Sequence, residues 1–312
     1  MYDIDVTIIV PVYFNEKSIE KTINLIKDFV IKNNKDLKFE IICIDDGSKD
    51  SSFNVLESIF FTNKDLIKII KLSRNFGQVN AMLAGYQKSS GKCVINISAD
   101  LQDPPELMNL MIREFFDNNI EIVIGSRIER DESFFRKKTS KFFYKLIKKL
   151  SFPTMPEGGF DYALLGRKVV NIINNNKEAN LFWQGQILWT GFSLKFIPYK
   201  RVEREFGTSK WTFGKKIKYL IDGVMSYSFL PLRFMSFLGI ISFLVGIIYA
   251  LVIIGNYYFG NVPFKGWAPI MIILLVMFGI VFLMLGIIGE YLWRVLDQTR
   301  NRPHFLIERV LE

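Results

Sequence analysis

Three clusters of acids, amides and prolines follow apolar runs in the first 110 residues of this chain, at Pro11–Glu16, Asp45–Ser48 and Ser98–Pro105. An aspartate at a strand end can accept a ring N–H of uracil or guanine. Carboxylate and amide oxygens can hold a divalent cation that neutralises a diphosphate. Asp100 and Gln102 have the i, i+2 spacing that can turn two such oxygens toward one cation. Together the clusters indicate a site for a nucleotide diphosphate.

Each cluster alone is weaker, because Asp-Gly-Ser is also an ordinary turn and helix cap. We interpret Asp103 and Glu106 as the start of a helix, with Asp103 as its cap and proline in the first turn. The same interpretation is not adopted for Asp100.

The elements that must position these clusters alternate between short apolar runs and amphipathic segments, which predicts a mostly parallel α/β sheet covered on both faces. Ligands of such sheets bind beyond the carboxyl ends of the strands. The predicted strands are Val6–Val12, Phe39–Ile44, Ile67–Leu72, Cys93–Ile97 and Glu121–Ile124, and the predicted helices are Lys17–Ile31, Ser51–Phe61, Gln78–Ser89 and Pro105–Phe116.

Composition narrows the chemistry. The 312 residues include one histidine, His304, which excludes the usual zinc sites and any histidine-based triad. Any metal should therefore be Mg²⁺ or Mn²⁺ on oxygen ligands. The two cysteines, Cys43 and Cys93, fit buried thiols in a reducing compartment. The formal charge of +9 indicates anionic partners. The first ten residues carry two acids and no basic residue, so we do not predict a signal peptide there.

Two uncharged runs, at 234–264 and 266–289, are each long enough to cross a bilayer. We predict a hairpin of transmembrane helices near 234–255 and 268–290. Buried core helices are the alternative, but such helices seldom lack a polar face over this length. Lysines and arginines flank both outer ends, whereas the connecting loop carries only Lys265. The positive-inside rule then places both termini and the α/β domain in the cytoplasm.

Two basic segments with interleaved aromatic residues, 133–151 and 211–227, are typical of helices that lie on anionic headgroups. A solvated face on a core-packed helix is the alternative for 133–151. The pattern also suits nucleic acid in principle. Lipid is the simpler partner because the segments flank the predicted membrane helices, so no nucleic acid is expected.

With these motifs in place, the sequence resembles the polyisoprenyl-phosphate glycosyltransferases of glycosyltransferase family 2, which include bactoprenol glucosyltransferases and dolichyl-phosphate mannose synthases. The resemblance spans essentially the whole chain. It rests on Pro11–Glu16, Asp45–Ser48, Arg74–Gly77, Ala99–Glu106, Gly158–Val169, Arg204–Lys210, Gly289–Leu292 and Arg302-Pro303. It implies a GT-A fold and inverting transfer from a nucleotide sugar to a polyprenyl phosphate such as undecaprenyl phosphate, for cell-envelope glycan modification.

The resemblance also implies roles for individual residues. The expected nucleotide-sugar contacts are Pro11, Tyr13, Glu16, Asp45, Asp46, Ser98 and Asp100. The expected metal ligands are Asp100 and Gln102, and Asp161 is an orienting carboxylate first and a base second. The expected acceptor-phosphate ligands are Arg127, Arg136, Ser140 and Arg204, with Lys210 added on its charge.

Ser98 is the clear departure, because the family usually has an aspartate there. A hydroxyl can bind water or a ribose oxygen, but it adds no charge, so metal affinity or donor preference could differ. Uridine is favoured over guanosine, and a glucose-like sugar is expected, although residue types do not separate the sugars. Relatives of this kind also lead us to expect a homo-oligomer, a tetramer in some cases.

Two alternatives stay open. A processive polysaccharide synthase would need more helices and a Gln-x-x-Arg-Trp motif, where this chain has Phe182–Gln186. A non-catalytic sugar- or lipid-binding relative is supported only by Ser98. Trp183 and Trp189 could line a pocket or belong to the core. The predicted organisation is a GT-A domain at 1–210, a juxtamembrane amphipathic helix at 211–230, the hairpin at 231–293 and a cytoplasmic tail at 294–312.

Overall fold

The computed structural model describes residues 3–128, 148, 152–156, 159–176, 178, 181–202, 225, 230–258 and 268–312. The chain divides into two compact units. Unit 1 comprises residues 1–222 and 302–312, and unit 2 comprises residues 223–301. The chain therefore leaves unit 1, forms unit 2 and returns to unit 1 for its last residues. The two predicted basic segments, 133–151 and 211–227, lie almost entirely outside the described residues.

The centre of unit 1 is a parallel sheet formed by four buried strands. Their register pairs Val12 with Asp45, so the chain leaves both strands at the same edge. The spatial order β4-β1-β2-β3 confirms the predicted parallel sheet. The strands are β1 (Val6–Val12), β2 (Phe39–Asp45), β3 (Ile67–Leu72) and β4 (Cys93–Asn96).

Four further strands complete the sheet on its two sides. The described strands follow the order β7-β5-β6-β4-β1-β2-β3-β8, in which β6 runs antiparallel to β4 and β5. β5 and β7 pair in parallel, and β8 runs antiparallel to β3. The strands are β5 (Ile122–Arg127), β6 (Ala163–Gly166), β7 (Leu194–Tyr199) and β8 (Ile307–Leu311).

β8 lies within the stretch that the sequence analysis assigned to a C-terminal tail, and it was not predicted. β8 pairs with β3 at the edge of the sheet, and two of its residues form ion pairs with other parts of unit 1. Glu308 pairs with Lys71 at 2.9 Å, and Arg309 pairs with Glu57 at 2.7 Å. The peptide N–H of Ser73 donates to the carbonyl of Leu306 at 3.0 Å. The last residues are therefore an integral part of unit 1.

Helices cover the sheet. The first predicted helix is confirmed, but it ends in a π-helical turn at Lys27–Ile31. The apolar positions of α1, including Ile19, Ile23 and Ile26, are fully buried against the sheet, as the helical spacing of apolar residues requires. The helices of unit 1 are α1 (Ile19–Ile26), α2 (Ser52–Phe61), α3 (Gln78–Lys88), α4 (Leu107–Asn118), α5 (Arg167–Asn175) and α6 (Trp183–Trp189).

Unit 2 contains two long apolar helices, α7 (Leu230–Tyr258) and α8 (Ala268–Thr299). Both contain a stretch long and apolar enough to cross a membrane, Pro231–Tyr249 in α7 and Val276–Thr299 in α8. The second helix runs nine residues, about two and a half turns, beyond the predicted end at residue 290. Arg294 and Glu290, four residues apart there, form an ion pair at 2.9 Å.

Candidate active site

The loops after β1 and β2 are tied together by hydrogen bonds. The N–H of Asn15 donates to Ser52 Oγ at 2.8 Å, and the N–H of Ser51 donates to Glu16 Oε2 at 3.0 Å. Phe14, which has a positive φ of 58°, donates its N–H to Ser48 Oγ at 3.2 Å. The predicted nucleotide contacts Pro11, Tyr13, Glu16 and Asp45 therefore lie at one edge of the sheet, where the Glu16 carboxylate also joins the two loops.

Asp45 ends β2 with no solvent exposure. Its Oδ1 accepts the N–H of Ser48 at 3.3 Å, whereas its Oδ2 has no hydrogen-bond partner within the part of the chain that the structure describes. Burial raises the pKa of this carboxyl above its ordinary value. A buried acceptor atom without a donor is costly. The ring N–H of a nucleobase would supply the donor that Asp45 lacks.

Asp46 has a different role from its neighbour. Its Oδ1 accepts the N–H of Phe76 at 2.7 Å, and its Oδ2 accepts both the N–H of Gly77 and the side-chain amide of Asn75 at 2.9 Å. Burial raises the pKa of Asp46 to about 6. Asp46 therefore fixes the loop after β3 beside the loop that follows β2. Its predicted direct contact with the nucleotide stays a prediction.

Gly47 makes this arrangement possible. Its φ is +68°, and a Cβ at this position would lie 2.4 Å from the carbonyl carbon of Arg74. The turn after β2 thus packs directly on the backbone of the loop after β3, which no side chain would permit.

The loop after β4 carries the predicted metal ligands. Leu101, between Asp100 and Gln102, has a positive φ of 62°, a strained conformation for a branched residue that is typical of functional sites. Asp100 Oδ1 accepts the N–H of Gln102 at 3.3 Å. The amide nitrogen of Gln102 donates to the carbonyl of Val202 at 3.3 Å, so the amide oxygen is the atom with which Gln102 can face a cation.

This ligand set suits Mg²⁺ or Mn²⁺, because it offers a carboxylate and an amide oxygen from one short loop. It is small, since the described residues contain no group of three or more His, Cys, Asp or Glu side chains that could hold a metal. Oxygens of a bound diphosphate would have to complete the coordination. Ser98 supplies no further charge, as the sequence indicates.

Asp161 lies just before β6 and meets Arg127 at the end of β5 in an ion pair. The side-chain amide of Asn96 donates to the backbone carbonyl of Asp161. Asn96 is in turn held by Tyr86, whose hydroxyl lies 3.3 Å from Asn96 Oδ1 and accepts the indole N–H of Trp183 at 3.2 Å. Trp183 is 1% exposed and belongs to the core, whereas Trp189 is exposed.

Asp103 corrects one prediction from the sequence. It does not cap a helix, because α4 begins at Leu107 and the capping position is Glu106. Asp103 is buried instead, with the Ser98 hydroxyl at 2.6 Å from Oδ2 and the Tyr199 hydroxyl at 2.6 Å from Oδ1. The two prolines delay the helix, and the acid turns inward where hydroxyl donors and Arg201 meet it.

Sequence reasoning missed Asn96, Tyr199 and Arg201 as well as this role of Asp103. Tyr199 is the last residue of β7 and Arg201 follows the strand. Because β7 was not predicted, the rule about strand ends was not applied to them. Four of the predicted acceptor-phosphate ligands lie outside the described residues: Arg136, Ser140, Arg204 and Lys210.

The model of the family described as glycosyl transferase family 2 matches residues 7–173, more than half of the chain. The chain belongs to glycosyltransferase family 2. The matched residues include β1, β2 and β4 with their polar ends, and the family assignment makes the protein a glycosyltransferase with the GT-A fold that the resemblance implied.

Two relatives extend the family 2 similarity over the whole chain. One is an uncharacterised glycosyltransferase of Bacillus subtilis, YkcC, which is 34% identical over 98% of this chain and 94% of its own. The other is the SfII prophage-derived bactoprenol glucosyl transferase of Shigella flexneri, which is 33% identical over 97% of both chains. A mycobacterial protein of known crystal structure aligns with a TM-score of 0.51 at 15% identity, over 71% of this chain and 75% of that one. This last likeness concerns the fold alone.

Proposed function

We propose that the protein transfers a glucose-like sugar from a uridine diphosphate sugar to a polyprenyl phosphate at the cytoplasmic face of the cell membrane. The observation that carries the proposal is the full-length similarity to a bactoprenol glucosyl transferase, which includes the two apolar helices as well as the strand-end site. An acceptor that is itself a membrane lipid gives those helices a purpose beyond anchoring.

On the donor side, Asp45 Oδ2 would accept the ring N–H of uracil, because it is buried and lacks a donor among the described residues. Tyr13 and Pro11 would border the base, and Ser98 would contact water or the ribose. Asp100 and Gln102 would hold Mg²⁺ or Mn²⁺, which when bound neutralises the diphosphate as it leaves.

On the acceptor side, the nucleophile is a phosphate monoester with a second pKa near 6, so at neutral pH it is largely dianionic. A phosphate oxygen attacks the anomeric carbon of the sugar, and the bond from that carbon to the diphosphate breaks with inversion. No proton has to be removed, so Asp161 would orient Arg127 rather than act as a base. Cationic groups must bring the two anions together, which is the role we assign to Arg127, Arg136, Arg204 and Lys210, with the Ser140 hydroxyl as a neutral donor to the acceptor phosphate.

The path of the chain supports a cytoplasmic site. The chain leaves unit 1, passes through two apolar helices and returns to unit 1 as β8. An even number of membrane crossings returns the chain to the side that it left. The basic flanks of the helices favour the cytoplasm as that side. Assembly as a homo-oligomer, tetrameric in some relatives of this kind, is part of the proposal and can be tested by the mass of the detergent-solubilised protein.

Transfer of label tests the proposal against both alternatives. Native membranes are incubated with Mg²⁺ or Mn²⁺, polyprenyl phosphate and each of several radiolabelled nucleotide sugars. Label in an organic-soluble lipid that mild acid releases is the expected result. Label in long polymer would instead support a processive synthase. Folded protein without turnover of any donor would support a non-catalytic relative.

A further inference from the structure

Asp103 has no assigned role in the transfer reaction, yet it is one of the most buried acids of unit 1. Its side chain is 1% exposed. Its Oδ1 lies 2.6 Å from the Tyr199 hydroxyl and 3.2 Å from Arg201 Nε, and its Oδ2 lies 2.6 Å from the Ser98 hydroxyl. A carboxylate this deeply buried persists only where charge and hydrogen bonds compensate it. Its partners belong to both halves of the site.

The donor half is reached through Ser98. The same hydroxyl that contacts Asp103 lies 2.8 Å from Asp100 Oδ1. Asp100 Oδ1 also accepts the N–H of Gln102, so the position of this carboxylate is set from two directions. The Ser98 hydroxyl therefore lies between the buried acid and the proposed metal ligand, and it can donate its one proton to either carboxylate.

The acceptor half is reached through Tyr199 and Arg201. Tyr199 donates its hydroxyl proton to Asp103 and accepts a hydrogen bond from Arg127 Nε at 3.3 Å. Arg201, only 13% exposed, spans the two acids, with its guanidinium 4.0 Å from Asp161 Oδ2. Two acids, Asp103 and Asp161, thus lie beside two arginines, Arg127 and Arg201, and removal of Asp103 would leave the largely buried Arg201 facing only the more distant carboxylate of Asp161, at 4.0 Å, among these four groups.

The backbone beside Asp103 is also fixed. The hydroxyl of Tyr162 donates to the carbonyl of Pro104 at 3.1 Å, and the Tyr162 ring packs edge-on against the ring of Tyr199 with centroids 5.9 Å apart. Tyr162 is fully buried. The backbone next to Asp103 is therefore fixed by the core, and Asp103 can in turn restrict the positions of the side chains that contact it.

We propose that Asp103 is a positioning residue that couples the two halves of the site, setting Asp100 through Ser98 and setting Arg127 and Asp161 through Tyr199 and Arg201. The inference rests on the proposed function for the identity of the two halves. It also gives a reason for the serine at position 98. An aspartate there would place a third carboxylate next to Asp100 and Asp103, whereas the serine hydroxyl can donate a hydrogen bond.

Three substitutions distinguish the contact of Asp103 through Ser98 from its contacts through Tyr199 and Arg201. Ser98→Ala removes the donor-side hydroxyl, Tyr199→Phe removes the acceptor-side hydroxyl, and Asp103→Asn weakens both while preserving shape. Arg113→Gln, at an exposed position of α4, is the matched control. Each purified full-length protein is assayed for UDP affinity by calorimetry with Mn²⁺, for KM toward polyprenyl phosphate, and for thermal unfolding in detergent.

The expected pattern is asymmetric. Ser98→Ala weakens UDP affinity roughly tenfold with KM for the lipid unchanged, and Ser98→Thr restores the affinity. Tyr199→Phe raises KM for the lipid by a similar factor with UDP affinity unchanged. Asp103→Asn shifts both quantities, and Arg113→Gln shifts neither.

Equal effects of Ser98→Ala and Tyr199→Phe on both quantities would overturn the inference, because they would indicate general loosening of unit 1. Wild-type affinity and KM in Asp103→Asn would overturn it too. If Asp103→Asn fails to fold, the other two variants decide. Failure of the proposed function is distinguishable, because the wild-type protein would then show no transfer to lipid at all.

Discussion

Gly47→Ala should disturb the packing of the turn after β2 on the loop after β3. Gly191→Ala is the matched control, because it introduces a similar backbone strain without a collision. Gly47 has a φ of +68° and a new Cβ would meet the carbonyl carbon of Arg74 at 2.4 Å and its Cα at 2.7 Å. Gly191 has nearly the same φ, +69°, and a Cβ there would meet nothing within 4 Å. The two substitutions share the conformational cost, and only the first adds a collision with backbone atoms.

The magnitudes follow from those two terms. The left-handed conformation costs an alanine about 1–2 kcal/mol relative to glycine, at either position. Overpacking against backbone that cannot rotate away adds about 1–3 kcal/mol at Gly47 alone. We therefore expect Gly47→Ala to lower the free energy of unfolding by about 2 kcal/mol more than Gly191→Ala. For a unit of this size that difference corresponds to roughly 4–8 °C in the unfolding midpoint.

Thermal unfolding and UDP calorimetry on both variants check this expectation. The collision has to be relieved by moving the loop after β3 away from Asp45 and Asp46, so UDP affinity should fall roughly tenfold in Gly47→Ala and stay within about twofold in Gly191→Ala. Equal midpoints and equal affinities for the two variants would refute the reasoning, because the close approach of the two loops would then carry no energy.

Three further predictions concern individual carboxylates. Asp100→Ala should abolish transfer while the unfolding midpoint stays near that of the wild type, and near-normal transfer would remove the metal assignment. Asp161→Asn should lower turnover more than UDP affinity, because it acts on Arg127, and equal losses would contradict an orienting role. Because burial raises the pKa of Asp46 to about 6, its ionised fraction falls from roughly nine-tenths at pH 7 to one-tenth at pH 5. UDP affinity should therefore fall as the pH drops through 6, and Asp46→Asn should remove the part of that fall that Asp46 causes.

Much of the sheet follows from local sequence. The strands β1, β2 and β4 are mainly apolar, buried almost throughout and followed by polar clusters, the pattern of strands covered on both faces, whereas β3 carries two half-buried lysines. In the helices between these strands, the apolar residues recur with the helical period, which predicts the helices directly from the sequence. The predicted gathering of Asp45 and Asp100 at one edge follows from parallel pairing alone.

The strands that were missed have physical reasons. β6 is only four residues long, Ala163–Gly166, and β8 lies far along the chain from β3, with which it pairs. Short and non-local pairings leave little periodic signal. β7 contains Pro198 and lies at an edge of the sheet, where sequence rules favour a demotion from strand to loop.

The burial of Asp103 is a part of the site that the local sequence does not predict. Asp-Pro-Pro-Glu is a good local start for a helix, and local rules favour that interpretation. The tertiary partners Tyr199 and Arg201, about a hundred residues away along the chain, supply the donors that turn the acid inward. Long-range compensation of a buried charge is not visible in spacing. The same holds for Asn96 and Tyr86, which read as ordinary residues of a strand and a helix.

The central claim is transfer of a sugar to a lipid phosphate, and one measurement tests it most directly. The purified protein is reconstituted with polyprenyl phosphate, Mn²⁺ and UDP-glucose labelled in the sugar, and the organic phase is analysed. We expect a labelled lipid that mild acid cleaves to free glucose, formed by the wild type and by Arg113→Gln but not by Asp100→Ala. Label that stays entirely in water-soluble products, with the wild-type protein folded and bound to UDP, would contradict it.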